Sequence, residues 1–143
     1  MSYEERGQWV YIGAIVLTFG AYVAIVLPQA GRGAVTEIDY VPTMLWSIGI
    51  GIALSIAGRI LAEIVGEMAR PGETHEPDVR DRDIGRLGEY FGGTVLSVAM
   101  IAPFGMALAE LEHFWIANAI YAAFVLSALI GAVVKIVAYR RGF

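Results

Sequence analysis

Two sets of residues recur at intervals of four. Ser47, Gly51, Ser55, Arg59, Glu63 and Glu67 form one set, and Ala119, Ala123, Ser127, Gly131 and Lys135 form the other. On a helix this spacing places each set in a single stripe. Small residues let two backbones approach closely, which is how helices associate in lipid. A charge at the edge of hydrocarbon is costly and is usually paired or functional. The two stripes therefore predict that their segments pack together, within one chain or across a dimer. That packing would gather Arg59, Glu63 and Lys135 into a polar cluster able to gate or sense at one membrane face. The plainer reading has Arg59 and Lys135 extending to the headgroups, with Glu63 neutralising them.

Other groups offer less chemistry. The run from Asp78 to Arg86 holds six charges in nine residues. Asp78, Arg80, Asp81, Arg82 and Asp83 make it the best candidate docking surface for a protein partner. Asp78 and Arg82 stand four apart with the acid first, the better order for a helix pair. Alternating signs suit a short helix at the membrane surface, with Ile84, Leu87 and Phe91 dipping toward lipid. Glu110, Glu112 and His113, with Glu37 and Asp39, carry carboxylate and imidazole groups that can hold a cation. Their spacing matches no ligand set, so solvated loop acids are expected and no metal is assigned. His75 lies in a Pro- and Gly-containing linker and reads as a connector residue. Asn118 is a polar group among apolar neighbours, where an interhelical hydrogen bond is the usual use.

No nucleophile, base and acid fall into a catalytic pattern, and no phosphate loop or zinc-binding helix is present. The chain has no cysteine, which excludes disulfides and thiolate chemistry. The net charge of −4 and the lack of an acid-free basic helix argue against nucleic acid as a partner. Neither an enzyme nor a cofactor is expected.

The elements that must carry these residues are set by composition. Of 143 residues, 57% are hydrophobic and 17% charged, against about 25% charged in an average soluble domain. The excess lies in four blocks, about 9–27, 41–62, 90–108 and 114–134. Each is near the ~20 residues that cross a ~30 Å hydrocarbon layer. They are too long for strands and lack the alternation of a barrel strand. The first block carries Glu4 and Glu5 before it and is longer than a signal-peptide core, so it reads as a retained span. Pro28 is expected to end it, and Pro103 to kink the third. Trp9, Trp46, Trp115, Tyr40 and Tyr139 fall near span ends as an aromatic belt.

The expected fold is an all-α membrane protein, a single domain over 1–143 built as a four-helix transmembrane bundle. An even number of spans puts both termini on one side. Nine of the ten basic residues fall on that side and only Arg32 on the other, so both termini are expected in the cytoplasm of a cell membrane. The cytoplasmic loop is then about 63–89. Weak echoes suggest two parallel hairpin repeats: "YIGAIVL" at 11–17 with "YFGGTVL" at 90–96, and "LSIAG" at 54–58 with "LSALIG" at 126–131.

Three stretches, "EERGQWVY", "DVRDRDIGRLGEY" and "EHFWIANAIYAAFVLSALIGAVVKIVAYRRGF", resemble a family of small four-span bacterial membrane proteins of the actinobacterial type, of unknown function. The family has an Asp-Glu-Arg-Asp run before its third span. Asp78, Arg80 and Asp81 match it, and Val79 stands where the Glu would be, which weakens a binding role for that acidic position. The resemblance implies the four-span topology and no activity. The expected function is a non-catalytic regulatory or interaction protein in the lipid bilayer, associating through helix packing and its cytoplasmic loop with itself or with a membrane or cytoplasmic protein. The alternative is a minimal dimeric transporter or channel for a small solute or ion. The first span has no ionisable group besides tyrosine, so proton coupling at the midplane lacks its residue.

Overall fold

The computed structural model describes residues 3–69 and 79–142, apart from the side chains at 3, 4, 63, 66, 67 and 69. The helices are α1 (Tyr3–Ala30), α2 (Tyr40–Ala69), α3 (Val79–Ala99), α4 (Ile101–Leu108) and α5 (His113–Arg141). Among the described residues there is no strand. The short α4 continues α3, so four helical units are long and apolar enough to cross a membrane: Glu5–Ala30, Tyr40–Ala62, Val79–Leu108 and His113–Arg141. A helix satisfies its backbone groups within itself, as hydrocarbon requires.

Several boundaries differ from expectation. Helix α1 runs through Pro28 to Ala30. A proline removes one hydrogen bond to the preceding turn, and so close to the helix end the loss is small. The Gln29 side chain also donates to the Ile25 carbonyl at 2.8 Å. Helix α2 runs on to Ala69 and α3 begins at Val79. The segment expected as a loop at 63–89 is thus largely helical, and its remainder, with His75 and Asp78, lies outside the described residues.

The charged run is not a separate surface helix. From Val79 onward it forms the first turns of the helix that becomes the third span. The cause is the spacing of Ile84, Gly88 and Gly92, which puts all three on one buried face of α3. Ile84 is fully enclosed by protein, so it does not dip into lipid, while Phe91 remains exposed. Asp81 sits in the first turn of α3, the favourable end for an acid. Pro103 does break the third span. Its ring clashes with the carbonyl four residues back, and the helix interrupts at Met100, where the Phe104 N–H bonds the Met100 carbonyl at 3.1 Å.

Two hairpins make the core contacts, α1 with α2 and α3 with α5, and α1 against α5 joins them. The stripe residues mediate contact, but not with each other. Gly51 meets Thr18 of α1, and farther along α2 Gly58 rests on Val10. Ser127 donates to the Gly92 carbonyl at 2.8 Å. A methyl group on Gly131 would lie 3.0 Å from the Gly88 carbonyl oxygen. Within this chain the predicted packing of the second span on the fourth is therefore replaced by packing within each hairpin. Each glycine's approach is already taken up by the neighbouring helix. The two touch at Ser47 and Tyr121, whose hydroxyls lie 2.8 Å apart.

The echoes divide in the same way. Gly58 and Gly131 both face the first helix of their own hairpin. Gly92 is buried, but its counterpart Gly13 is exposed and the next residue, Ala14, is buried instead. One echo thus has equivalent roles and the other is rotated by one residue.

Helix α2 is the outlying element, packed extensively on α1 alone. Leu45, Trp46, Leu61 and Val65 on it are all at least 59% exposed. Among the helices, a core of Tyr22, Val26 and Phe114 gathers Phe19, Tyr40, Met44 and Tyr121 at the end away from the termini.

Gly131→Val should disrupt the α3–α5 contact and cost about 1–3 kcal/mol, the usual range for overpacking. Gly85→Ala, at a position with nothing within 4 Å of the added carbon, should leave stability unchanged or raise it. Thermal loss of the monodisperse peak in detergent compares the two; equal losses would contradict the packing described.

Candidate functional site

Three features of the helix assembly hold chemistry. The first is a polar and aromatic network in the half of the bundle away from the termini. Tyr22 donates to Asn118 Oδ1 at 2.7 Å, and Asn118 Nδ2 donates to the Phe114 carbonyl at 2.8 Å. Ser47 donates to the Thr18 carbonyl at 2.9 Å, so the Tyr121 hydroxyl donates to Ser47 Oγ. Thr18 turns its own hydroxyl back to the Ala14 carbonyl at 2.8 Å. The Tyr121 ring stands edge-on to Phe19 and Tyr22, with centroids 5.1 and 5.3 Å away. Edge-to-face rings are attracted through their quadrupoles. These groups bond one another, and none is a carboxylate or an imidazole, so the network joins α1, α2 and α5 without offering a proton carrier.

The second feature is a lateral groove of about 350 Å³ between α2 and α5, with α1 as its floor. Ile52, Ile56, Phe124 and Val125 give it apolar walls, and Ser47, Ser55 and Tyr121 line it too. Ser55 spends its hydroxyl on the Gly51 carbonyl of its own helix at 2.7 Å. The groove exists because α2 and α5 both lean on α1 and hardly touch each other.

The third feature is the end of the bundle that carries the termini. Arg140 Nε bonds Glu5 Oε1 at 2.7 Å, with Glu5 nearly enclosed. The Arg140 guanidinium also lies 5.7 Å from the centre of the Trp9 ring, within cation–π range. This ties α1 to α5. The Arg80 side chain reaches the Tyr139 carbonyl at 3.5 Å, where the last turn of α5 favours a cation. A second cavity, about 260 Å³, opens between α1, α3 and α5 beside these contacts, lined by Gln8, Tyr11, Glu89 and Lys135 among others.

Of the predicted cluster of Arg59, Glu63 and Lys135, the structure places Arg59 and Lys135 in different surroundings within this chain. Lys135 lies against Gly88 on α3, whereas Arg59 is exposed on α2. The Glu63 side chain lies outside the described residues. Lys135 and Arg59 diverge because their helices belong to different hairpins. Of the candidate docking run, Arg80, Arg82 and Asp83 are exposed on the first turns of α3 and Asp81 is half-buried. Among the described residues no three acids or histidines come together to hold a metal, so the loop acids at 37, 39, 110 and 112 with His113 do not form the cation site considered for them.

Sequence reasoning found Asn118 as an interhelical donor or acceptor but not its partner. It missed Gly88 and Gly92 altogether, although Ile84, Gly88 and Gly92 stand four apart in a stripe of the same kind as those singled out. It treated Arg140 only as a topological charge. No family model, no curated protein and no solved structure matches this chain.

Removing the Tyr22–Asn118 bond tests the network. In a double-mutant cycle, Tyr22→Phe and Asn118→Ala should show a coupling of about 0.6 kcal/mol, the average for an interhelical hydrogen bond in a membrane protein. Strictly additive losses in unfolding measurements would mean the two side chains do not stabilise each other.

Proposed function

We propose that this chain is a multi-pass protein of the bacterial plasma membrane, with both termini in the cytoplasm, that acts by association rather than catalysis. The observation that supports it is the unpartnered side of α2. Gly49, Ala53 and Ala57 stand four apart on that helix and are exposed, and nothing lies within 4 Å of a carbon added at Gly49. The stripe at 47, 51 and 55 serves this chain's own packing, whereas the stripe at 49, 53 and 57 is free for a second helix. Small residues are what a helix offers when another helix must come close in lipid. A second copy of the chain or the helix of another membrane protein fits it, and the exposed charges at Arg82 and Asp83 add a cytoplasmic contact.

A second reading, a minimal dimeric transporter or channel, draws on the groove between α2 and α5. Its hydroxyl-bearing walls, at Ser47, Ser55 and Tyr121, would then line half of a pathway completed by the partner.

The absence of native cysteine makes cross-linking clean. Ala53→Cys in native membranes should give a cross-linked species of defined size, and Phe104→Cys, exposed on α4, should not. Gly49→Leu should abolish that species. No cross-link at Ala53, with a monomer by photobleaching, would remove the association reading. Solute flux in reconstituted vesicles that Ile52→Trp blocks would favour the transporter instead. Tags at both termini should be shielded from protease in intact cells; cleavage from outside would reverse the orientation.

A further inference from the structure

The cavity beside Lys135 has a chemistry of its own. Lys135 and Glu89 both line it, yet among the described residues neither makes an ion pair. Gly88, Gly92 and Gly131 form part of its lining. A side chain at Gly88 would strike the Lys135 stem, with Cγ and Cε 2.5 Å from the added carbon, so glycine there lets Lys135 lie along α3. One cation and one carboxylate thus face a single slot without neutralising each other. Gln8 and Tyr11 add neutral hydrogen-bonding groups.

Depth says what such a slot would meet. Lys135 lies 22 residues beyond His113, about 33 Å along α5 at 1.5 Å per residue, just past a ~30 Å hydrocarbon core. That is the headgroup level at the end carrying the termini. Tyr11 and Ala128 line this cavity and also the apolar groove between α2 and α5. The charged slot and the oily groove therefore adjoin, in the order of a phospholipid's headgroup and acyl chain.

We propose that these adjoining cavities bind one phospholipid whose headgroup carries both a phosphate and a primary ammonium. Lys135 takes the phosphate, a charge-assisted contact. Glu89 takes the ammonium, and one acyl chain lies in the groove along Ile52, Ile56 and Phe124. The inference rests on the reading that these helices cross a bilayer, whichever way the termini face.

The purified full chain in detergent is titrated with phosphatidylethanolamine, phosphatidylglycerol and phosphatidylcholine of identical acyl chains, and bound lipid is read by native mass spectrometry. Phosphatidylethanolamine should bind roughly fivefold tighter than the other two, the effect of one charged contact near a membrane surface. Glu89→Gln should erase that preference, and Lys135→Met should weaken all three lipids. Ile52→Trp, filling the groove, should also weaken all three. Free phosphoethanolamine should bind far more weakly than the lipid; equal binding would overturn the role given to the groove. Equal affinity of the native chain for the three lipids, or a preference that survives Glu89→Gln, would overturn the proposal. Glu89 is exposed, so its variant remains informative if Lys135→Met fails to fold. A chain that is washed from membranes by carbonate and stays monodisperse without detergent would instead defeat the membrane reading itself.

Discussion

Hydrocarbon solvates a leucine as well as another leucine does, so in the bilayer proposed for this chain apolar side chains would give these helices little reason to adhere. What holds them must be close backbone approach and the few polar bonds that lipid cannot supply. Both are concentrated where helices meet. Gly88 and Gly92 admit Ser127 and Gly131, and the Ser127 hydroxyl closes on the Gly92 carbonyl. The Ser47 hydroxyl donates to the Thr18 carbonyl and accepts from the Tyr121 hydroxyl, linking α1, α2 and α5. Around these points the surface is leucine, isoleucine, valine and aromatic rings, exposed to an extent that water would not tolerate.

The same constraint accounts for the open shape. A soluble bundle closes because every apolar face must be buried. Here α2 leans on α1 alone, which in the proposed bilayer would leave the rest of its surface to lipid at little cost. That freedom creates the groove beside α5 and leaves the small-residue face at Gly49, Ala53 and Ala57 without a partner. An element that is peripheral in the single chain is therefore the natural place for something else to bind. Charged contacts gather instead at the end carrying the termini, where Glu5 and Arg140, and Arg80 with the last turn of α5, join helices far apart in sequence. In the bilayer proposed for this chain, water and headgroups would be within reach there, so charge could be used for joining elements.

Some of this was legible beforehand. Asn118 stood out because an amide in an apolar run needs a partner, and it has one in Tyr22. Pro103 stood out because a proline in mid-helix removes one hydrogen bond and crowds the preceding turn. Other features were hidden. The run from Asp78 to Arg86 looked like a surface segment because charge suggests water. Its helix continues unbroken into the span because Ile84, Gly88 and Gly92 share a face that α5 covers. Within this chain Gly51 of the first stripe meets α1, and Ser127 and Gly131 of the second meet α3, a pairing that the stripes alone did not specify.

By itself the sequence determined that the described chain is helical and that four units are long and apolar enough to cross a membrane. Those facts follow from length, hydropathy and the backbone's need for internal hydrogen bonds, all of which are readable along one dimension. Only the tertiary structure decided which stripe meets which, that Lys135 faces Glu89's cavity and not Arg59, and that α2 stands apart. The reason is physical: the faces these helices turn outward are as apolar as those they turn to protein. The contrast that reveals the core of a soluble protein is therefore missing, and the pairing depends on shape and on single hydrogen bonds.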